Sequence, residues 1–221
     1  MPVGATAVGL PAGNFAAAPG RLSGMSAAAE EFLDRVLAHE GELTMDKFNY
    51  TSWKFEKRPT SEGFGILPGQ DVDVEAMAAH VLDVENYPGN VKYVDSTEIV
   101  ERRSPTDVTY IQRMNLPVLG KIQVQIHLAD YGIREGWHII AWDQDDDGTA
   151  ELNKKQGART AYNLGAWLLA EDTVGYALSS APLKSDMNAL KYMAMTKGAD
   201  ATASEVLRQN IEGMLAWTNR A

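Results

Sequence analysis

Carboxylates whose spacing resembles a metal site gather in one short segment, where Asp143, Asp145 and Asp147 alternate with other residues ahead of Gly148. This spacing matches the first half of a calcium-binding loop, which supplies carboxylate oxygens from alternate positions. The second half does not match, because the twelfth position, where such a loop needs a glutamate, is Lys154. Strand-like sequence flanks the segment, where a calcium loop would need helices. We therefore predict an acidic hairpin turn here that binds no metal.

The remaining reactive side chains form no recognisable catalytic motif. Four histidines are present, and no two share the four-residue helical spacing of a metal site; they are His39, His80, His127 and His138. Serine-hydrolase elbows, Walker loops and complete Gly-x-Gly-x-x-Gly motifs are absent, and we interpret Gly63-Phe-Gly65 as loop. The chain has no cysteine, which excludes disulfides, thiolate metal sites and a cysteine nucleophile. We predict no catalytic motif, no metal and no cofactor.

The distinctive side chains are apolar and adaptable instead. Met187, Met193 and Met195 lie close together near the C-terminus, and Trp142 and Trp167 lie within strand-like sequence. Methionine fills irregular space and adapts to variable partners. Such residues are typical of an ordinary core, and they are also typical of the pliable wall of an apolar cavity.

The charge balance narrows the class of partner. The 221 residues include 20 Lys and Arg against 30 Asp and Glu, for a formal net charge of −10. Nucleic-acid binding and docking on anionic lipid both depend on cationic surface, so neither is predicted. No stretch approaches about 18 continuous apolar residues, so we predict no integral membrane segment. A transient membrane contact stays open.

The first 25 residues differ from the rest in composition. They are mostly Ala, Gly and Pro, with Arg21 as their one charge, and they contain no continuous apolar run of signal-peptide length. We predict a flexible tail at 1–25 and a single domain at 26–221. This pattern favours a cytoplasmic protein, with export after removal of a signal as the alternative.

Hydrophobic periodicity predicts helices near both ends of the chain. One lies at 26–40, and a second, capped by an aspartate, lies at 73–87. A strand at 47–57 separates them. Two consecutive helices at 185–196 and 202–217 close the chain, and the second begins with a capping box.

Strand-like runs with short turns fill the middle of the chain. They are Ser96–Arg103, Asp107–Leu116, Lys121–Tyr131, Gly136–Asp143, Thr149–Gln156, Arg159–Leu169 and Thr173–Ala181. Short connections favour antiparallel neighbours, so we predict a meander. In the third run apolar residues alternate with Gln123, Gln125 and His127, which predicts one buried and one solvated face. The fold class is therefore α+β.

Several short sequence segments, taken in their order along the chain, resemble a known superfamily. They are Val81–Pro88, Val94–Val100, Trp142, Gly165–Leu169, Thr173–Tyr176, and Pro182 with Ser185–Lys197. In this order they resemble the START-like, helix-grip superfamily (SRPBCC), which includes polyketide cyclases and lipid-transfer domains. The resemblance covers about residues 45–219, and the helix before residue 45 lies outside it.

The resemblance implies a helix-grip fold, in which a curved antiparallel sheet wraps around a long C-terminal helix and encloses a cavity. It also implies binding or transfer of a hydrophobic small molecule such as a lipid, sterol, isoprenoid or polyketide. We predict that nine residues line this cavity and contact the ligand: Met114, Ile126, Trp142, Trp167, Tyr176, Met187, Leu190, Met193 and Leu207.

Two alternatives use the same fold. A cyclase or dehydratase would need a titratable group in the cavity, for which His138, Tyr176 and Asp186 are the candidates. An interaction domain would instead have its interior filled by side chains. We favour a protein without enzymatic activity, and the volume and lining of the cavity distinguish the three hypotheses.

Overall fold

Eight strands form one curved sheet in the computed structural model, which describes residues 25–44, 47–116 and 120–220. The strands are β1 (Asn49–Trp53), β2 (Glu62–Pro68), β3 (Val94–Ser104), β4 (Asp107–Leu116), β5 (Gly120–Arg134), β6 (Trp137–Gln144), β7 (Ala158–Ala170) and β8 (Thr173–Pro182). The helices are α1 (Ala27–Ala38), α2 (Val74–Leu82), α3 (Asp146–Glu151) and α4 (Ala189–Thr218). Most of the predicted flexible tail lies outside the described residues. Met25, at its end, is buried.

The strands are ordered β1-β2-β8-β7-β6-β5-β4-β3, and all of these neighbours are antiparallel. The predicted meander from β3 to β8 is therefore confirmed, except for one run. The β5–β6 hairpin turns on Glu135 and Gly136, whose φ angles of 51° and 88° are typical of the two-residue turns that match strand twist. The α+β, helix-grip fold class is confirmed.

Alternation along the strands divides the core between the two faces of the sheet. On β6, Trp137 and Ile139 pack into a cluster with α1 on the convex face. Ile140 and Trp142 point to the concave face, where α2 and α4 pack. Because successive side chains of a strand point to opposite faces, one strand contributes to both clusters.

A buried carboxylate holds α1 against the sheet. Glu62 of β2 is fully buried, and both its oxygens accept hydrogen bonds from Arg35 of α1 at 2.8 Å. Trp53 Nε1 donates to the same carboxylate at 2.7 Å, and Arg58 Nη1 donates at 2.8 Å. These charge-assisted bonds connect α1 to β1, β2 and the turn between them.

The C-terminal helix is one continuous element of 30 residues, so the predicted break at Gly198 is wrong. Thr202 does not cap a new helix, because its hydroxyl donates to the Gly198 carbonyl oxygen within the same helix at 2.8 Å. Buried residues on both sides of this point, such as Met195 and Leu207, pack the helix on the concave face. This packing outweighs the cost of about 1 kcal/mol that an internal glycine imposes on a helix.

The acidic segment forms a helix start, which corrects both the predicted hairpin turn and the strand predicted at 149–156. The Asp145 carboxylate accepts from the Gly148 backbone N–H at 3.0 Å and so caps α3. Asp145 also accepts from the Gln125 side-chain amide at 2.7 Å. A Cβ at position 148 would lie 2.2 Å from the Gln125 amide, so Gly148 leaves the room in which this amide reaches Asp145.

The expected solvated face of β5 is largely covered, which is a further correction. Gln123 is fully buried, and its amide donates at 2.8 Å to the carbonyl oxygens of Asn153 and Gly157. Gln125 is buried beneath α3. Hydrogen bonds to the 145–157 segment therefore replace water on this face.

The segment interpreted as a loop around Gly63 and Gly65 is strand β2, so that interpretation is also corrected. It pairs with both β1 and β8. Side chains from the β1 region explain the glycines: a Cβ at position 63 or 65 would lie 3.0 Å from the ring of Tyr50 or Phe48, respectively. Close approach of these rings requires residues that have no side chain.

Candidate functional site

A cavity of about 610 Å³ lies between the concave face of the sheet and α4. The space exists because α4 presents small side chains to the sheet along its middle turns. Ala194, Gly198, Ala199, Thr202 and Ala203 recur at helical spacing and line the cavity. Met195 is the one large apolar side chain that the described part of these turns adds to the lining. Gly198 and Thr202, which suggested a break between two helices, lie in the same stretch.

Six of the nine predicted ligand-binding residues line this cavity. They are Met114 of β4, Ile126 of β5, Trp142 of β6, Trp167 of β7, Tyr176 of β8 and Leu207 of α4. Five come from five different strands, and each points to the concave face by strand alternation. Their part in binding a ligand stays a prediction.

The other three predicted residues lie away from the cavity, and their inclusion is corrected. Leu190 is 78% exposed, Met193 is 52% exposed, and Met187 precedes α4 without lining the cavity. Their apolar side chains suggested that these three residues contact the ligand, but the rotation of α4 about its axis decides which of its residues face the cavity. Met195, rather than Met193, lies on the inner side of α4 and is buried.

Other lining residues were missed by the sequence analysis, among them Tyr110, Gln112 and Asn163. The alternation of β4 with Met114 could have revealed Tyr110 and Gln112, since all three share a face. Asn163 carries no such signal, because its role depends on a partner from the neighbouring strand.

That partner is Trp142, whose ring lies flat against β7. Its Nε1 donates to the Asn163 side-chain oxygen at 2.7 Å, and the Asn163 amide donates to Ser180 Oγ at 3.1 Å. A Cβ at position 165 would lie 1.9 Å from the Trp142 ring, so Gly165 makes this orientation possible. The polar edge of Trp142 is thus fixed, while the rest of its ring contributes apolar wall.

Aromatic rings form the inner end of the cavity. The Tyr176 ring centroid lies 4.5 Å from that of Trp167 and 5.5 Å from that of Trp142. The Tyr110 hydroxyl donates to Gln112 Oε1 at 3.1 Å. Burial raises the pKa of the Tyr176 and Tyr110 hydroxyls well above the ordinary value, and Tyr176 adds to the rise at Tyr110. Both phenols are therefore neutral and retain their protons.

Charged residues reach the cavity only at its rim, as far as the described lining shows. They are Lys92, Asp200 and Glu205, all exposed. Asp200 of α4 accepts from the Ser61 backbone N–H at 2.7 Å and from Lys54 Nζ at 2.8 Å, which ties α4 to the β1–β2 connection. The inner wall is apolar or polar without charge.

Of the three residues considered for enzyme chemistry, only Tyr176 lines the cavity. His138 hydrogen-bonds to the Asp130 carboxylate at 2.9 Å in a separate, shallow groove beside α2. Asp186 forms an ion pair with Arg159 at 2.7 Å, and this partner holds the pKa of Asp186 below its usual range. The fold does not bring the three residues together.

Two further features bear on the class of site. Among the residues that the structure describes, no three His, Asp or Glu side chains are grouped to hold a metal ion. Within the same ranges, no helix combines the length and apolar character needed to cross a membrane.

A curved antiparallel sheet closed by a long C-terminal helix over an apolar cavity defines a helix-grip protein. No protein-family model matches the chain, and no curated protein matches it in sequence. A STAR-related lipid transfer protein from Xanthomonas axonopodis is similar in structure, with a TM-score of 0.62 at 12% identity over 80% of this chain and 96% of that one.

Two human structures are also similar. STARD10 has a TM-score of 0.58 at 13% identity, over 84% of this chain and 81% of that one. The lipid transfer and protein localization domain of StarD13 has a TM-score of 0.52 at 14% identity, over 81% of this chain and 96% of that one. The START-like, helix-grip fold expected from the sequence is confirmed.

Proposed function

We propose that this protein binds or transfers a hydrophobic small molecule in the cavity between the sheet and α4. The observation that carries the proposal is the cavity itself, which has a volume of about 610 Å³ and a largely apolar and aromatic wall. Small-molecule sites typically measure about 300–1,000 Å³ and combine an apolar lining with a few polar groups. Two of the proteins with a similar structure are lipid transfer proteins, which supports the same class of ligand.

Binding would rest mainly on burial of apolar ligand surface, which contributes roughly 25 cal/mol per Å² removed from water. The free energy of apolar burial does not depend on orientation, so the shape of the apolar part of the ligand can vary. Orientation would come from the few polar groups of the wall, such as Tyr176 and Gln112. We place the ligand class among lipids, sterols, isoprenoids and polyketide-like aromatics.

The two alternatives draw less support from the same site. An enzyme of the cyclase or dehydratase type would need a titratable group in the cavity. His138 and Asp186 lie outside it, and burial raises the pKa of Tyr176, which disfavours proton transfer by its hydroxyl near neutral pH. An interaction domain would fill its interior with side chains, whereas small residues such as Ala199 and Ala203 leave space here.

Filling the cavity tests the proposal directly. Ala203→Trp adds a large side chain from the inner face of α4, while Ala201→Trp adds the same side chain at an exposed position two residues away. Binding of Nile red, a fluorescent cholesterol analogue and a fluorescent fatty acid would be measured by titration. Circular dichroism and thermal melting would establish that both variants fold.

We expect at least one probe to bind the unmodified protein with a Kd of about a micromolar, or roughly −8 kcal/mol. Ala203→Trp should weaken this binding by about tenfold or more, because the added ring occupies ligand volume. Ala201→Trp should leave binding unchanged. Failure of every probe to bind, or equal binding by the two variants, would contradict the proposal.

A further inference from the structure

The inner end of the cavity is polar without being charged. Five of the uncharged polar side chains along its wall come from β4, β7 and β8, and further ones come from α4 and the connecting segments; the five are Tyr110, Gln112, Asn163, Tyr176 and Ser180. The charged side chains of the described lining are Lys92, Asp200 and Glu205, and all three are exposed at the rim. This division bears on the head group of the ligand.

Tyr176 is the one of these five side chains that makes no hydrogen bond to a described residue. The Trp142 N–H is satisfied by Asn163, and the Tyr110 O–H by Gln112. The Tyr176 hydroxyl, by contrast, has no hydrogen-bond partner anywhere in the described part of the chain. Its oxygen is not among the buried atoms of the described residues that lack a partner, so the hydroxyl faces the open cavity. A ligand that displaces water there must bond to this hydroxyl or leave it unsatisfied, which is unfavourable.

The chemistry of Tyr176 limits what that ligand atom can be. Because burial raises its pKa, the phenol stays neutral and can both donate and accept a hydrogen bond. A hydroxyl or carbonyl oxygen fits such a group. The ring contacts with Trp167 and Trp142 hold the phenol in place, so the polar contact is positioned before the ligand arrives.

A charged head group would meet unfavourable surroundings at the inner end. A buried carboxylate or phosphate needs an opposite charge, and the described inner wall offers neither a lysine nor an arginine. At the rim, Lys92 lies near Glu205 and Lys54 forms an ion pair with Asp200, so both lysines already have an acidic neighbour. The net charge of −10 for the whole chain also disfavours the approach of an anion.

We propose that the ligand is a neutral amphiphile whose single hydroxyl or carbonyl group hydrogen-bonds to Tyr176 while its apolar body lies between the sheet and α4. This inference rests on the proposed function and deepens it by naming the head group. It separates neutral alcohols and ketones, which the site accepts, from ionised fatty acids and phospholipids, which it disfavours.

Ligands that share the same twelve-carbon alkyl chain and differ only in their head group test this inference. Dodecanol, dodecanoate and dodecane would compete with bound Nile red at pH 8, where the carboxylate is ionised. The unmodified protein would be compared with Tyr176→Phe, which removes only the hydroxyl. Tyr162→Phe is the matched control, because Tyr162 hydrogen-bonds to Thr60 and does not line the cavity.

We expect dodecanol to compete at about tenfold lower concentration than dodecanoate. Tyr176→Phe should weaken dodecanol binding by about two- to tenfold, the range for one neutral hydrogen bond, and should leave dodecane unchanged. Tyr162→Phe should change none of the three.

Equal or tighter binding of dodecanoate would overturn the inference, as would dodecanol binding that is unaffected in a folded Tyr176→Phe variant. In both cases a ligand still binds, so the proposed function would stand. If Tyr176→Phe does not fold, the comparison of dodecanol with dodecanoate on the unmodified protein decides. Failure of all three ligands and of Nile red to bind would remove the proposed function and this inference together.

Discussion

Replacing Glu62 by alanine should destabilise the protein strongly, because one buried carboxylate holds three side chains together. In the native structure Glu62 accepts two bonds from Arg35 and one each from Arg58 and Trp53. The change leaves the Arg35 guanidinium and the Trp53 indole N–H without an acceptor, and it leaves Arg58 with Ser179 Oγ as its one remaining side-chain acceptor among the described residues. It also releases the main polar contact between α1 and the sheet.

The size of the expected loss of stability follows from the burial of Glu62. Removing one partner of a buried ion pair costs about 3–5 kcal/mol. Water reduces this cost, because the side chains of Arg35 and Arg58 are 21% and 20% exposed while Glu62 is fully buried. The unpaired Trp53 indole adds about 1 kcal/mol. We therefore expect Glu62→Ala to lower the free energy of unfolding by about 3 kcal/mol.

Urea unfolding followed by tryptophan fluorescence and circular dichroism measures this change. Asp34→Ala is the control, since Asp34 lies on the same helix and pairs with Arg134 at 2.6 Å, with side chains 55% and 27% exposed. An exposed pair of this kind contributes less than about 1 kcal/mol. A loss at Glu62→Ala no greater than that at Asp34→Ala would refute the reasoning.

Two further predictions concern the convex side of β5 and the segment beside it. Asp145→Ala should lower the free energy of unfolding by about 1 kcal/mol, because it removes the cap of α3, and millimolar calcium should leave the melting temperature of the unmodified protein unchanged. A rise of several degrees with calcium would contradict the interpretation of Asp145 as a structural cap. His127 lies between Asp143 and Asp107, and hydrogen bonding to these carboxylates raises the pKa of His127 above the ordinary 6.5. Because the pKa of His127 is raised in the folded state, the protonated imidazole stabilises the fold below pH 6.5, and this stabilisation is lost as the pH rises through the pKa of the folded state. The difference in the free energy of unfolding between the unmodified protein and His127→Gln should therefore be largest in acid. A difference that grows with pH would contradict this prediction.

Strand alternation made much of the sheet predictable from the sequence. β4 begins and ends at the predicted residues, and the alternation of β5 placed Ile126 on the concave face. Alternation is a local property of the chain, so a single sequence reveals it. The acidic segment and Gly198 were misinterpreted for the opposite reason, since tertiary contacts decide whether such residues start, continue or end a helix.

Prediction from the sequence meets the same limit at the cavity wall, where contacts between distant elements decide which residues face inward. Strand positions such as Trp142 and Trp167 were placed correctly because neighbouring residues define the face of a strand. Leu190 and Met193 were misplaced because α4 carries apolar residues on several sides, and its rotation depends on packing with distant strands. The small residues that create the cavity gave no signal by composition, since space between elements appears only when the elements are assembled.

Native mass spectrometry of the gently purified full chain tests the central claim most directly. We predict an additional mass of one small molecule bound to the unmodified protein and to Ala201→Trp. The same mass should be absent or strongly reduced in Ala203→Trp, which fills the cavity. Extraction into organic solvent should release a hydrophobic compound, which we predict from the further inference to be a neutral amphiphile. A chain that carries no small molecule and binds no hydrophobic probe on addition would contradict the account, as would one that retains its ligand fully in Ala203→Trp.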